Sequence, residues 1–407
     1  MRITDGSPVE AALRRVDDVM ADRVARGIIP GLVMLIEHAG DVHADVIGAR
    51  AVGSAEPIRR DAIFRISSMT KPITAAATMI LVDEGRIRLD EAVDRLLPEL
   101  ADRQVLRRLD GPLDDTVPAK RRIAVRDLLT FTMGFGLVFG PPDAYPIVGA
   151  MNDLELGQGL PSPATPPAPD EWMRRLGTLP LMHQPGERWM YNTGADVLGV
   201  LIARASASPF DIFLRDRIFE PLGMKDTSFS VPADKQSRFV PSYLTDWRTG
   251  ALNLYDDPTT GQWSRPPAFP SGAGGLVSTA DDYAAFAEML MHKGERRGTR
   301  ILSERAVELM THDQLTAEQK AASGFPGGFF DHHSWSFCMS VKTGDDGTAR
   351  EVGTFGWDGG MGTGYSSDPL NDLTTILMTQ ASWISAEPPA HFRDFAAAVY
   401  EAFAPGG

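Results

Sequence analysis

The strand-like stretches of this chain lie at its two ends, and that placement restricts how it can fold. Near the start, residues 32–37 and 42–47 are short apolar runs joined by Ala39-Gly40-Asp41, a hairpin pattern. Four further strand-like runs, 334–341, 350–357, 364–368 and 373–379, come only near the other end, with turns at Gly344-Asp345-Asp346-Gly347 and at 369–372. Helical patterns fill most of the interval. The opening hairpin and the late strands are therefore expected to share one antiparallel sheet. Terminal helices, read at 9–26 from Val9, Leu13, Val16, Met20 and Val24 and again at 390–403, are expected to cover one face of it.

Between the ends, Ile73, Ala76, Ala77, Ile80 and Leu81 fall at helical spacing, and Gly85 stops the run; this reads as a buried helix. Helical patterns recur at 125–132, 171–176, 195–205 and 209–219. Thr279, with Asp282 three residues on, marks the start of another that runs to about His292. The segment 137–170 differs, because it holds Pro141, Pro142, Pro146, Pro161, Pro163, Pro166, Pro167 and Pro169. It is expected to be neither regular helix nor central strand. A loop of that length is either disordered or part of a binding site.

The charge balance removes several function classes. With 54 acidic and 40 basic residues the net charge is −14, which argues against a nucleic-acid or anionic-membrane surface. The single cysteine, Cys338, excludes an internal disulfide and a multi-cysteine metal site, and reads as a small buried hydrophobe alternating with Trp335, Phe337 and Met339 in a strand. His332 and His333 are adjacent and would face apart, and no His-Glu-x-x-His or phosphate loop occurs, so no metal or cofactor is expected. The longest apolar runs, such as 32–36 and 75–82, are far short of the ~20 residues of a membrane helix. The first residues show no secretory pattern, and a cytoplasmic location is expected.

The sharpest local signal is Phe64-Arg65-Ile66-Ser67-Ser68-Met69-Thr70-Lys71-Pro72. Ser68 and Lys71 stand three apart at the head of a helix, so their side chains share one face. A serine hydroxyl is a weak nucleophile until a base takes its proton, and a desolvated lysine can do so. The helix start also favours negative charge developing on a substrate oxygen. The structural alternative is a serine that caps the helix and a solvated lysine. Tyr191 follows the turn Pro185-Gly186-Glu187-Arg188 and precedes the 195–205 helix, which lets its phenol project into a cleft. A phenol beside an ammonium is a plausible base, and the alternative is a packing tyrosine.

Taken together these segments resemble the serine β-lactamase-like superfamily, and within it the family VIII carboxylesterases, relatives of class C β-lactamases and penicillin-binding proteins. The resemblance rests on the Ser68–Lys71 block, Val125-Arg126-Asp127-Leu128-Leu129-Thr130, and Pro185-Gly186-Glu187-Arg188-Trp189-Met190-Tyr191. It continues through Asp196-Val197-Leu198-Gly199, Pro221-Leu222-Gly223-Met224, Gly274-Gly275-Leu276-Val277-Ser278-Thr279 and Gly356-Trp357-Asp358-Gly359-Gly360. It implies a β-lactamase/transpeptidase-like fold of the α/β (α+β) class, an antiparallel sheet flanked by helices with an inserted mainly helical domain. Residues 1–72 and 272–407 would form the sheet domain and 73–271 the helical one. It also implies Ser68 as the acylated nucleophile, with Lys71 and Tyr191 sharing the work of the base.

Two departures from the family pattern bear on substrate. Asn192 directly follows Tyr191, and Thr193 stands where β-lactamases place an asparagine. The Lys-Thr-Gly motif has a literal match at Lys342-Thr343-Gly344, but that runs into a turn; Trp357-Asp358-Gly359-Gly360 sits one strand later, where the superfamily carries the motif. The second is preferred here, with Lys342 a solvated residue near a hairpin end. Trp357 cannot supply the positive charge that a lactam carboxylate needs, whereas an ester needs none. The amides of Ser68 and Gly360 would form the oxyanion hole, and Trp357, Asp358, Gly359 and Asn192 would border the substrate. The expected activity is hydrolysis of short-chain acyl esters through a Ser68 acyl-enzyme, with a small-molecule ester as the partner. The alternatives are a class C-like β-lactamase, a D-aminopeptidase, an acyltransferase, or a non-catalytic ligand-binding protein on the same scaffold.

Overall fold

The computed structural model of the protein describes residues 8–157 and 159–403. The first residues, read above as lacking a secretory pattern, lie in part outside them. Seven strands form one sheet: β1 Gly31–His38, β2 Asp41–Gly48, β3 His333–Trp335, β4 Ser340–Lys342, β5 Phe355–Gly359, β6 Thr363–Asp368 and β7 Leu373–Thr379. Their spatial order is β3-β4-β5-β6-β7-β1-β2, antiparallel throughout. A lone hairpin is marginal in water. The join of the two chain ends, Leu32 opposite Thr379 through His38 opposite Leu373, is what gives β1 and β2 a sheet to belong to.

The helices named here are α1 Pro8–Ala25, α2 Thr70–Asp83, α3 Val125–Leu129, α4 Pro146–Asp153, α5 Pro169–Thr178, α6 Thr193–Ser206, α7 Ala280–Met291 and α8 Ala390–Phe403. β1 is buried on both faces, and its alternation divides two cores. Leu32, Met34 and Ile36 pack with Leu13, Val16 and Met20 of α1 and with Phe395 and Val399 of α8. Val33 and Leu35 face the larger core that holds α2 and α6. Every residue of α2 from Thr70 to Leu81 is buried, the polar Thr70, Lys71, Thr74 and Thr78 included. Among the described residues no single helix is long and apolar enough to cross a membrane.

Several local expectations need correction. The run 334–341 is not one strand. The chain reverses between β3 and β4, with Cys338 at φ 60° and its N–H donating to the Leu129 carbonyl at 2.9 Å. The helix expected over 125–132 stops at Leu129, and Phe131 takes φ 59°. The strand expected from 350 begins only at Phe355. The Pro-rich segment does contain helix: Pro146 opens α4 and Pro169 opens α5, where a missing N–H costs nothing. Helix over 209–219 is split into Phe210–Leu214 and a wider π turn, Arg215–Phe219.

One buried ion pair ties the nucleophile's approach strand to a distant hairpin. Phe64–Arg65 pairs with Val277–Ser278, and Arg65 Nε donates to Asp256 Oδ2 at 3.0 Å, at the end of the hairpin Ser242–Thr245/Leu252–Asp256. The guanidinium also lies 3.9 Å from the Phe239 ring centroid and donates to the Val240 carbonyl at 2.6 Å. Burial lowers Arg65 to about 10, against the pull of Asp256, so it remains a cation at neutral pH.

Candidate active site

Ser67, with φ 47°, turns the chain out of the Phe64–Arg65 strand into the 3-10 turn Ser67–Met69, and α2 follows at once. The turn is held from several elements. Ile66 N–H donates to Leu276 O at 3.0 Å, Thr363 Oγ1 to Ile66 O at 3.2 Å, and Tyr283 Oη to Met69 O at 2.9 Å. β5 meets the same turn at Gly359, where any Cβ would run into the Ile66 carbonyl and Thr363 Oγ1, so glycine is needed for the close approach.

Lys71 is 0% exposed, and its Nζ donates to Ser68 Oγ at 3.0 Å and to the Ala273 carbonyl at 2.6 Å. Tyr191 reaches the same serine from the other side, with Oη 2.9 Å from Ser68 Oγ. Its ring lies over Lys71 Nζ at 4.4 Å and is walled by Trp189, stacked at 5.6 Å, and by Phe131, Trp335 and Trp357. The Tyr191 carbonyl accepts from Leu137 N–H at 2.8 Å, which fixes its backbone. Trp357 Nε1 donates to Tyr191 Oη at 2.8 Å.

Two of the proton arrangements compatible with these contacts hand the Ser68 proton to a neighbour. In one, a neutral Lys71 accepts from Ser68 while the Tyr191 hydroxyl donates to Ser68 Oγ. In the other, Lys71 is an ammonium donating to Ser68, and a Tyr191 phenolate accepts from Ser68 and from Trp357. Either leaves a serine whose proton has a ready acceptor, the condition for a nucleophile.

The remaining sequence candidates are placed unevenly. Gly360 borders the cavity beside Ser68, its carbonyl accepting from Trp383 N–H at 2.9 Å. Asn192 also borders it, held at φ 85° as the residue just before α6. Asp358 alternates with Trp357 along β5, and its carboxyl overlies Gly364 next to Phe392 of α8, so it meets the cavity from the sheet's other face. Lys342 is not solvated: it is 3% exposed, and Nζ donates to Asp346 Oδ1 at 2.6 Å and to the Arg350 carbonyl at 2.6 Å. Its ammonium is consumed by its own hairpin. Trp357, by contrast, touches the Tyr191 hydroxyl.

The cavity holds about 1240 Å³. Leu137, Phe139, Leu160 and Pro161 from the Pro-rich segment wall it together with Phe269 and Phe325, so of the two readings of that segment the structure supports the binding wall. Among the described residues no group of three or more His, Cys, Asp or Glu side chains is disposed to hold a metal ion. Burial pushes the Cys338 thiol well up, which keeps it protonated and unreactive.

No role for Asp196 is legible in the sequence alone. On α6 it is 6% exposed, and its Oδ1 accepts from Ser271 Oγ at 2.6 Å and from Ala273 N–H at 3.1 Å. The available signal was a lone charge in an otherwise apolar run, Gly194-Ala195-Asp196-Val197-Leu198.

Comparison with known proteins agrees with this architecture. The chain is 39% identical over 378 residues to Protein Rv1367c of Mycobacterium tuberculosis, spanning 91% of this chain and 89% of that one. It is 28% identical over 401 residues to Esterase EstB of Burkholderia gladioli, spanning 92% of each. The solved structure of EstCE1, described as a hydrolase with promiscuous acyltransferase activity, superposes with a TM-score of 0.78 at 22% identity, over 96% of this chain and 99% of that one. The fold is thus the β-lactamase/transpeptidase-like one, a mixed α/β architecture on a seven-strand antiparallel sheet. The Beta-lactamase family model matches residues 16–395, and the chain belongs to that family.

Proposed function

We propose that the protein is a serine carboxylesterase acting on short-chain acyl esters. Ser68 Oγ attacks the ester carbonyl as its proton passes to the Lys71–Tyr191 pair, giving a tetrahedral oxyanion held by the Ser68 amide in the turn before α2 and the Gly360 amide just after β5. The C–O bond to the alcohol then breaks, and the pair returns the proton to the departing alkoxide. Water, deprotonated by the same pair, attacks the Ser68 ester; the acyl bond to Ser68 Oγ breaks, the pair returns the proton to Oγ, and the acid leaves. The observation that carries the reading is Trp357 donating to Tyr191 Oη at 2.8 Å. The side chain at this place serves the base and offers no cation to a substrate carboxylate, which favours uncharged esters over lactam acids. EstB, named an esterase, supports the same class.

The test is hydrolysis of p-nitrophenyl butyrate and of a chromogenic cephalosporin, side by side, by wild type and Ser68→Ala. Ester turnover that vanishes in the variant, with little cephalosporin turnover, is expected. A cephalosporin preferred over the ester would leave Ser68 in place and overturn the argument from Trp357.

A second reading is acyl transfer to an alcohol: the cavity bordering Ser68 continues along Leu137, Phe139, Leu160 and Phe325, an apolar wall against which an acceptor alcohol can lie. EstCE1 is described with such activity. Adding alcohol acceptors to the butyrate assay separates the two, since transfer yields a new ester at the expense of the free acid.

A further inference from the structure

Lys71 carries its amino group into a site with no solvent exposure, and an ammonium there needs both hydrogen-bond acceptors and a counter-charge. One acceptor is the Ala273 carbonyl, 2.6 Å from Nζ. Ala273 belongs to the turn Ser271-Gly272-Ala273-Gly274-Gly275, and that turn is gathered around one side chain of α6. Asp196 Oδ1 accepts from Ser271 Oγ at 2.6 Å and from Ala273 N–H at 3.1 Å, while Ser271 Oγ accepts from Gly274 N–H at 3.2 Å. Gly272 admits no side chain, because its Cβ would meet the Ala195 carbonyl of the same helix. Thr74, one turn past Lys71 on α2, donates to the Gly272 carbonyl at 2.8 Å. The turn is therefore clamped between α2 and α6.

We propose that Asp196 is a positioning residue for the nucleophile: it holds the 271–275 turn so that the Ala273 carbonyl keeps Lys71 Nζ on Ser68 Oγ, and its carboxylate is the buried counter-charge to the Lys71 ammonium. The proposal rests on the reading of Ser68 as nucleophile. Tyr191 lies five residues before Asp196, so one segment delivers both the phenol and the charge that decides where the shared proton rests. A carboxylate here favours the arrangement with the proton on Lys71, leaving Tyr191 to receive the proton of Ser68.

Titratable groups that bear on Lys71 include Tyr191, Asp196 and Cys338, and the buried thiol stays neutral. Burial raises the Asp196 carboxyl, while Ser271, the Ala273 amide and Lys71 all favour its ionised form.

The test follows the rate of Ser68 labelling by a fluorophosphonate from mildly acidic to mildly alkaline pH, a readout of nucleophile activation that does not depend on the ester chosen. Asp196→Asn keeps an acceptor oxygen and removes the charge. Loss of a nearby negative charge lets the Lys71–Tyr191 pair release its proton at lower pH, so the acidic limb should move down by about half a unit or more. Plateau labelling should fall ~10-fold or more, since the base is weaker. Ser271→Ala keeps the charge and loosens the turn, so it should slow labelling without moving the limb. An Asp196→Asn limb that coincides with the wild type's, whatever its rate, overturns the proposal. Wild type that does not label at all would overturn the serine-nucleophile reading itself, and this proposal with it.

Discussion

The indole N–H of Trp357 donates to the phenol oxygen of Tyr191 at 2.8 Å, from the strand beside the nucleophile turn. The bond is strongest when Tyr191 is a phenolate, so it favours the form able to take a proton from Ser68. Trp357→Phe keeps the ring that packs on Trp335 and Phe329 but deletes the donor. A hydrogen bond to a charged group contributes about 1.5–3 kcal/mol, so kcat/KM for p-nitrophenyl butyrate should fall ~10- to 100-fold with little change in Tm. Wild-type kinetics in this variant would show that the contact plays no part in activating Tyr191.

Lys71→Met and Tyr191→Phe should each lower kcat by ~10²–10⁴, the usual contribution of a general base. The two side chains meet at one oxygen, 3.0 and 2.9 Å from Ser68 Oγ, so the double variant should lose little beyond the worse single one. Losses that multiply would mean that the two act independently.

The strands at 373–379 and the helix at 390–403 are legible in the sequence because each buries an uninterrupted pattern of one period. The reversal between β3 and β4 is not, since it rests on Cys338 taking φ 60° with no glycine to mark it. What holds that conformation is the Leu129 carbonyl, more than two hundred residues away. The same reason hides Asp196. Its lone charge in an apolar helix is visible, but its partners Ser271 and Ala273 come from another segment. Ser68 and Lys71 are readable because they are local, three residues apart on one helix face. Lys342 is misread for the converse reason, because only the folded hairpin shows Asp346 and Arg350 enclosing it.

For Lys342, Lys342→Met should therefore act on stability and not on chemistry. Burial would raise the Asp346 carboxyl, but bonds from Lys342 and Thr348 hold it well below the usual carboxylate range. Removing the ammonium leaves that carboxylate part-buried with Thr348 as its hydrogen-bond donor and His333 nearby but without its lysine, at a cost of about 1–3 kcal/mol in urea unfolding. Activity of the folded enzyme should stay within about threefold, because no catalytic side chain touches Lys342. A 100-fold loss of kcat/KM with unchanged stability would instead place the motif on this strand.

Arg65 and Asp256 form a pair in which both side chains are almost fully buried, 1% and 2% exposed. Asp256→Ala leaves the guanidinium between Phe239 and Trp263 without its counter-ion. Breaking such a pair costs about 3–5 kcal/mol, and because Arg65 lies three residues before Ser68, labelling of Ser68 should fall as well. A loss below about 1 kcal/mol in denaturant unfolding would mean that water reaches the site and solvates Arg65.

Asp358 offers a test of electrostatics through pH. Burial raises its carboxyl to about 6, with Arg350 pulling the other way. In an unfolded chain the group titrates near 4, so between about pH 4 and pH 6 the folded state binds the proton more tightly. Its contribution to stability is therefore fully present below about pH 4 and is lost as pH rises through 6. The shift corresponds to at most about 3 kcal/mol, and partial solvent access reduces this to about 1–2 kcal/mol. Asp358→Asn cannot ionise, so its stability relative to wild type should rise across pH 4–6 and level off above. The check is urea unfolding of both proteins at a series of pH values. A difference that is flat with pH would mean that the carboxyl is solvated and that its place over Gly364 carries no electrostatic cost.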